Sequence, residues 1–136
     1  MSALSHITFI VQDLDKVQLI LEQVLKAKCV YNSGRKQYSL SEERFFLVGD
    51  TWIATMKGES LPQRSYNHIA FKIEEAEFEA RLAAIRALGL EIKPPRDRVE
   101  GEGRSIYFYD ADNHLMELHT GTLEQRLQSY SAKENL

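Results

Sequence analysis

The chain has 136 residues, the usual size of one domain that buries its own hydrophobic core. Hydrophobic residues make up 43% and charged residues 27%, a globular composition, and the net charge of -3 disfavours generic binding to nucleic acid or an anionic membrane surface. No apolar run approaches the roughly 20 residues that cross a bilayer, so no membrane span is expected. A single cysteine, Cys29, cannot form an internal disulfide, and the N-terminus lacks the features of a signal peptide, so we expect a cytoplasmic protein.

The first predicted strand alternates in polarity, which assigns its side chains to two faces. Ile7, Phe9 and Val11 form the apolar side and should pack against a helix. His6 and Thr8 should then lie on the opposite face. An amphipathic helix is predicted next, over about 15–27.

The chain then repeats this pattern. The sequence HITF at 6–9 recurs as HIAF at 68–71, a second helix is predicted over about 75–88 with Gly89 as its cap, and the same offset pairs Thr55 with Glu117. Each half therefore indicates a βαβββ module. We predict an α+β fold in one domain over 1–136, with modules at about 4–58 and 66–120 forming a curved mixed sheet with outer helices, and a C-terminal helix at about 122–130.

Three side chains of the predicted sheet have the chemistry of metal ligands. Alternation places His68, and Glu117 between Met116 and Leu118, on the same face as His6. Two imidazoles and a carboxylate from different strands form a facial ligand set that leaves coordination positions open. The sequence therefore predicts a site for one divalent ion, with Mn, Fe, Zn and Co all compatible.

Other interpretations of these residues are open at this point. A lone histidine in a strand is more often buried and hydrogen-bonded for structural reasons, although the recurrence of His6 at His68 weakens that interpretation. His119 lies two residues after Glu117 on the same face and is a rival ligand. Thr55, at the predicted repeat position of Glu117, cannot chelate strongly, so the metal should be open to substrate on that side.

Five motifs spread along nearly the whole chain resemble those of one protein family: LSHIT at 4–8, SLSEERFF at 39–46, YNHIAF at 66–71, EGEGRSIYFYD at 100–110 and NHLMELH at 113–119. Together with the paired modules, they resemble the vicinal oxygen chelate superfamily, which includes glyoxalase I, extradiol dioxygenases and fosfomycin resistance proteins. The last group is the most similar, and within it the FosX branch of Mn-dependent fosfomycin epoxide hydrolases.

The resemblance implies roles for residues outside the ligand set. Mn(II) would polarise the epoxide oxygen, and Glu43 would be the catalytic general base for water, provided that its strand begins early enough to direct it to the ligand face. Glu42 is the residue most easily confused with Glu43. The resemblance implies Arg126 as a phosphonate contact. The residues themselves add the loop cations Arg96, Arg98 and Arg104, because arginine forks match phosphonate geometry. Hydroxyl groups on the ligand face make Thr8, Ser105 and Tyr107 further candidate contacts. A solvated loop at 93–104 is the alternative.

The resemblance also implies a homodimer with shared active sites, in which His6 of one chain joins His68 and Glu117 of its partner. Composition and periodicity are equally compatible with a closed monomer. The predicted function is a Mn(II)-dependent hydrolase that adds water to fosfomycin and inactivates it. The alternatives are a fosfomycin thiol transferase, another superfamily enzyme such as an Fe(II)-dependent extradiol dioxygenase, and a non-catalytic drug-binding protein.

Overall fold

The computed structural model describes residues 3–135, so Met1, Ser2 and Leu136, and with them part of the N-terminus used to exclude a signal peptide, lie outside the described residues. The chain forms two compact units. One contains the chain up to Arg64 together with Asp110–His114, and the other contains Ser65–Tyr109 and the chain from Leu115 onward. These units follow the two predicted modules, except that Asp110–His114 groups with the first.

The first unit is a four-stranded mixed sheet with one helix. Its elements are β1 (His6–Val11), α1 (Leu14–Gln23), β2 (Lys28–Asn32), β3 (Glu43–Val48) and β4 (Thr51–Lys57). The strand order is β1-β4-β3-β2, with β1 parallel to β4 and the other pairs antiparallel. The predicted βαβββ order is confirmed for this half.

The second unit has the same order of elements followed by a further helix. Its elements are β5 (His68–Lys72), a 3-10 turn (Glu75–Glu77), α2 (Phe78–Ala87), β6 (Ile92–Lys93), β7 (Ser105–Tyr109), β8 (Leu115–His119) and α3 (Leu123–Glu134). The strand order is β5-β8-β7-β6, with β5 parallel to β8. The α+β class and both βαβββ modules are therefore confirmed.

Strand alternation separates two faces in each sheet. On one face, apolar side chains such as Phe9, Phe46, Phe108 and Leu118 are buried. We call the other the open face. By strand register it carries His6, Thr8, Glu43, Trp52 and Ala54 in the first unit, and His68, Ala70, Ser105, Tyr107, Glu117 and His119 in the second.

Helix α1 ends at Gln23, four residues earlier than predicted. The chain turns at Lys26, whose φ of 58° is in the left-handed region, and the Ala27 N–H donates to the Leu21 carbonyl at 2.9 Å. The predicted apolar residue Val24, just past the helix, is nevertheless fully buried. Periodicity therefore identified the buried side chains correctly but not the residue at which the helix ends.

The ends of the other helices have recognisable caps. Gly89 has a φ of 68°, and the N–H groups of Gly89 and Leu90 donate to the carbonyls of Arg86 and Ile85, which closes α2 as a Schellman motif. Helix α3 begins after a capping box at Thr122 and ends four residues beyond the predicted end. None of the helices in residues 3–135 is both long and apolar enough to cross a membrane.

Strand register corrects the predicted repeat position of Glu117. In the second sheet Ala70 pairs with Glu117, and in the first sheet the equivalent Thr8 pairs with Ala54. Ala54, rather than Thr55, is therefore the counterpart of Glu117. An alanine side chain has no atom that can bind a metal ion, so this repeat position supplies no ligand.

The error in this prediction has a simple geometric cause. Five residues separate the paired Tyr109 and Leu115, whereas four separate the equivalent pair Leu47 and Trp52. The offset between the halves therefore increases by one across this hairpin. Thr55 consequently lies on the helix side, where it is fully buried and its hydroxyl donates to a backbone carbonyl at 3.3 Å.

Candidate active site and metal centre

Adjacent parallel strands place His68 and Glu117 side by side on the open face of the second unit. His68 Nε2 lies 3.1 Å from Glu117 Oε1, and only 5% of the Glu117 side chain is exposed. His68 Nδ1 lies 2.7 Å from the Tyr66 carbonyl oxygen. Because a carbonyl can only accept, Nδ1 carries a hydrogen, and Nε2 of the neutral ring has a free lone pair. Two acceptors this close require a proton or a metal ion, so the pair fits a divalent cation.

A chain of hydrogen bonds supports Glu117 from behind. The Ser105 hydroxyl donates to Glu117 Oε2 at 2.6 Å, which uses its only hydrogen. His119 Nδ1, 2.7 Å from the same hydroxyl oxygen, must then donate to it, and His119 Nε2 accepts from Arg126 Nη2 at 3.5 Å. Burial lowers the pKa of His119, outweighing the effect of Glu117, so the neutral ring that this chain requires is favoured. His119 therefore supports Glu117, and the structure does not favour it as a rival ligand.

The third predicted ligand, His6, lies on the open face of the first unit. Its ring stacks on Trp52 with centroids 4.1 Å apart, and its Nδ1 lies 2.9 Å from the Ser5 hydroxyl oxygen. Thr8 is exposed on the same strand face. Within residues 3–135, no group of three or more His, Cys, Asp or Glu side chains is placed to hold a metal ion. The structure thus brings together two of the three predicted ligands.

Glu43 is the first residue of β3, which meets the condition for directing it to the open face. It is buried, with 9% of its surface exposed, and its backbone N–H donates to the Ser33 hydroxyl at 2.9 Å. No described residue donates a hydrogen bond to its carboxylate. Glu42 lies just before the strand. Glu43 therefore presents an unpaired carboxylate on the same sheet face as His6.

Three of the predicted arginines meet at one buried carboxylate, that of Glu102. Its Oε1 lies 2.5 Å from Arg96 Nη2, 2.9 Å from Arg98 Nη1 and 3.7 Å from Arg126 Nε, and its Oε2 accepts the Val99 N–H at 2.7 Å. Burial alone would raise the pKa of Glu102. Hydrogen bonds from Arg96, Val99 and Arg98 outweigh this effect and lower the pKa to about 2.

Tyr107 connects the arginine cluster around Glu102 with the pair formed by His68 and Glu117. Arg98 Nη2 donates to the Tyr107 hydroxyl at 3.2 Å and lies 3.7 Å from Glu117 Oε2, while the Tyr66 hydroxyl also donates to Tyr107 at 3.3 Å. Burial, the hydrogen bond with Tyr66 and the charge of Glu117 raise the pKa of Tyr107, so the phenol keeps its hydrogen for a ligand. A cavity of about 370 Å³ adjoins it, lined by Tyr66, Lys93, Pro94, Pro95, Arg96 and Tyr107.

Arg104 does not join this cluster. Its guanidinium lies over the Phe78 ring at 3.6 Å and pairs with Glu75 at 2.9 Å and Glu79 at 3.4 Å. These partners lie at the start of the α2 region. Because Arg104 directly precedes Ser105, strand alternation directs it to the helix side. The structure therefore places Arg104 apart from the arginine cluster around Glu102.

Comparison with known proteins identifies the family of this chain. The model of the Glyoxalase/Bleomycin resistance protein/Dioxygenase superfamily matches residues 3–118. The fosfomycin resistance protein FosX of Mesorhizobium japonicum is 61% identical over 124 residues, which cover 91% of this chain and 89% of that protein. The chain belongs to the FosX family. Its similarity to the metallothiol transferase FosB of Shouchella clausii is lower, with 37% identity over 134 residues covering 95% of this chain and 87% of that protein.

A solved FosX structure has the same fold. It is a variant from Listeria monocytogenes in complex with Mn(II) and 1S,2S-dihydroxypropylphosphonic acid. It is 54% identical to this chain, covers 96% of this chain and 98% of its own, and has a TM-score of 0.85. The recognition of the family from sequence motifs is confirmed.

Glu102 was not among the predicted site residues of this FosX-family chain, although it lies in the loop at 93–104 that carries Arg96 and Arg98. The available signal was its position between Gly101 and Gly103, with two arginines four and six residues before it. Both glycines have positive φ, 89° and 95°. Positive φ angles favour glycine, and at these two positions they produce a tight turn. The side chain of Glu102, between the two glycines, points inward and is buried.

Proposed function

We propose that this chain is a Mn(II)-dependent hydrolase that adds water to the epoxide of fosfomycin and thereby inactivates the antibiotic. One observation carries the proposal: the FosX variant that matches this fold holds Mn(II) with a dihydroxypropylphosphonic acid, the type of vicinal diol that water addition to a propylphosphonate epoxide gives. The 61% identity to another FosX supports the same reaction. The chain is thus a metal-dependent, fosfomycin-modifying enzyme.

His68 and Glu117 are the proposed Mn(II) ligands of one subunit, and His6 of the partner subunit is the proposed third ligand in a homodimer. A neutral imidazole nitrogen and an anionic carboxylate oxygen suit this ion. Bound Mn(II) supplies Lewis-acid polarisation of the epoxide oxygen. The Tyr66 carbonyl fixes the His68 tautomer, and Ser105 orients the carboxylate of Glu117.

Glu43 is the proposed general base that removes a proton from the attacking water. A general base must have a free lone pair on the substrate side. No described residue donates a hydrogen bond to the Glu43 carboxylate or forms an ion pair with it. Its burial reduces hydration, which strengthens its interaction with a bound water. The proton would remain on Glu43 until it is released to solvent or to the developing alkoxide.

The phosphonate is proposed to bind at the arginine cluster around Glu102, beside His68 and Glu117. The cluster offers guanidinium N–H groups, and Tyr107 offers its free hydroxyl hydrogen. The proposed contacts are Arg96, Arg98, Arg126 and Tyr107, with Thr8 and Ser105 as further hydroxyl groups on the open faces. Ser105 acts here mainly through Glu117, because its hydrogen is already donated to that carboxylate.

A homodimer with shared sites and a cytoplasmic location are further parts of the proposal. The described residues bring together only two of the proposed ligands, His68 and Glu117. A third ligand from a partner subunit would complete the set, which supports the homodimer. The lone Cys29, which is free, is compatible with a reducing compartment.

Phosphorus NMR of fosfomycin with the full-length protein tests the reaction. With Mn(II) and no thiol, the expected result is conversion to the diol, and this conversion should stop after chelation of the metal. No diol formation under these conditions would contradict the proposal.

A thiol transferase is the second candidate, because the similarity to FosB extends over 95% of the chain. The same NMR assay with added glutathione, cysteine or bacillithiol separates the two reactions. A product that forms only with a thiol would assign the chain to the transferases.

A further inference from the structure

Glu102 is a buried acid that the proposed reaction does not use. It is fully buried within the second unit, although a carboxylate loses much hydration energy on burial. It lies in the turn before β7, and no described hydrogen bond or ion pair joins its side chain to His68 or Glu117. Burial of this group therefore requires an explanation of its own.

The backbone holds Glu102 in place. A Cβ at Gly103 would lie 2.7 Å from the Gly121 backbone nitrogen, and a Cβ at Gly121 would collide with the Glu102 carbonyl oxygen. The turn and the segment before α3 are thus packed backbone to backbone. The Val99 N–H bond to Oε2, at 2.7 Å, adds a second fixed point. Glu102 is therefore the fixed member of its cluster.

The arginines around Glu102 are the adaptable members. Their side chains are long, and those of Arg96 and Arg126 are 36% and 34% exposed. Arg98 places Nη1 on Glu102 and extends Nη2 toward Tyr107. Arg126 turns Nε toward Glu102 and Nη2 toward His119. Contact with one carboxylate thus orients guanidinium groups that have further N–H donors to offer.

The charge of this cluster is unbalanced. Three guanidinium cations surround one carboxylate, so the four groups together carry two positive charges. Without Glu102 the three cations would repel one another in a partly desolvated space. With Glu102 they converge, and although the Glu117 carboxylate also lies 3.7 Å from Arg98 Nη2, the cluster keeps a net positive charge. An anion is therefore the complementary ligand.

We propose that Glu102 is a positioning residue that gathers Arg96, Arg98 and Arg126 into one binding surface for the phosphonate dianion of the substrate. The proposal rests on the proposed function for the identity of the substrate. Its central claim concerns anion binding and does not require turnover. Glu102 itself need not touch the substrate.

The test compares full-length, Mn(II)-loaded wild type with Glu102→Gln, which keeps the shape and removes the charge. Calorimetric titration with inorganic phosphate should show at least about tenfold weaker binding, and the KM for fosfomycin should rise similarly while kcat changes less. Mn(II) affinity, measured by electron paramagnetic resonance, should stay within about twofold. Glu102→Asp keeps the charge but withdraws it by one methylene and should give intermediate values.

Asp112→Asn is the matched control for a purely structural role. Asp112 is also buried, with 5% exposed, and accepts the Gln12 N–H at 3.0 Å and the Ser60 hydroxyl at 2.6 Å in the first unit. This variant should lose stability but keep its phosphate affinity and its KM. If Glu102→Gln shows the same pattern, the proposal is wrong.

Two further outcomes are also decisive. If Glu102→Gln does not fold, Glu102→Asp decides: unchanged phosphate affinity overturns the proposal, and at least about threefold weaker binding supports it. If wild type binds phosphate but makes no diol, the proposed function fails while the phosphate comparison still tests Glu102. If wild type makes diol without measurable phosphate binding, the change in KM alone decides.

Discussion

Among single residues, Glu43 has the environment expected of a proton acceptor. Its side chain is buried and lies on the same sheet face as His6, and its carboxylate has no partner among the described residues. We predict that Glu43→Gln lowers kcat for diol formation by at least about 100-fold, since the amide cannot take up a proton at working pH. Initial rates by phosphorus NMR provide the measurement. Mn(II) affinity should be unchanged.

Glu42→Gln is the matched control for that experiment. It changes the neighbouring acid, which lies just before the strand, and should keep nearly full activity. Wild-type rates in Glu43→Gln, or an equal loss in both variants, would contradict the assignment of the base.

Ser105 provides a second prediction at this scale. Its hydroxyl holds the Glu117 carboxylate, so Ser105→Ala should weaken Mn(II) binding by about 10-fold. Titration followed by electron paramagnetic resonance measures the effect. Ser60→Ala removes an equally short hydroxyl-to-carboxylate bond, to Asp112, and should leave Mn(II) affinity unchanged. Equal affinities of the two variants would show that Ser105 does not support the ligand.

The sequence predicted some of these residues better than others for physical reasons. His68 and Glu117 were predicted on one face because alternation in a strand fixes the direction of each side chain, and the structure places them 3.1 Å apart. Arg104 was grouped with the loop cations although alternation already directs it away from Ser105. The inward direction of Glu102 depends on the φ angles of its neighbours, which the sequence indicates only indirectly. The roles of all these residues in catalysis stay predictions.

At the level of helices and strands, the end of α1 has a residue in an unfavourable conformation. Lys26 has a φ of 58°, which costs a residue with a Cβ about 1 kcal/mol relative to glycine. Lys26→Gly should therefore raise the free energy of unfolding by about 0.5–1 kcal/mol, partly offset by the greater freedom of glycine in the unfolded chain. Urea unfolding measures the change.

The end of α2 provides the reverse experiment. Gly89 has a φ of 68°, and a Cβ there would meet no heavy atom within 4 Å. Gly89→Ala should therefore destabilise through backbone conformation alone, by about 1 kcal/mol. Stabilisation by both variants, or by neither, would contradict this explanation of the helix ends.

The fold itself was largely predictable at this scale. Hydrophobic periods of two and 3.6 residues predicted both βαβββ modules. They could not locate the end of α1, because the buried residue Val24 follows the helix and continues its apolar pattern. They also could not detect the extra residue in the second hairpin, since a motif match before a turn says nothing about the length of the turn.

For the molecule as a whole, stability should depend on pH through Glu102. Its pKa of about 2 in the folded chain lies below the ordinary value of 4.5, so the ionised form stabilises the fold above about pH 4.5. This contribution, roughly 3 kcal/mol, is lost progressively as the pH falls from about 4.5 to about 2. The facing groups are Arg96, Arg98 and Arg126, which stay charged, with His119 nearby.

Urea unfolding of wild type and Glu102→Gln at several pH values between about 6 and 3 tests this prediction. Wild type should lose more stability than the variant across this window, because the variant has no carboxylate to protonate at this position. Parallel pH dependence of the two proteins would show that Glu102 does not stabilise the fold by its charge.

The proposed homodimer makes a prediction about mixtures of inactive chains. His6→Ala and Glu117→Ala should each be inactive, but a mixed dimer would contain one site with all three ligands. After subunit exchange, an equal mixture should regain about a quarter of wild-type activity, because about half of the dimers are mixed and each has one complete site. Diol formation measures the recovery.

The control mixture combines His68→Ala with Glu117→Ala. These two ligands are neighbours within one chain, so every site in a mixed dimer lacks one of them. No recovery is expected. Recovery in neither mixture, once exchange is demonstrated by mass, would indicate that each chain supplies its own complete ligand set.

The difference in length between the two hairpins limits how the halves of this duplicated chain can be recombined in the laboratory. A chimera joined before the hairpin keeps each strand in its own register. Consider instead a chimera joined within β4 or β8, with residues matched at the offset that relates β1 to β5. Every residue after the junction in that strand would point to the opposite face, since a shift of one residue exchanges the faces of a strand. In such a chimera the carboxylate of Glu117 would enter the apolar layer beside the helix. In libraries built from this scaffold, the junctions between halves should therefore lie upstream of Leu47 or Tyr109. Otherwise the extra turn residue has to be transferred together with β8.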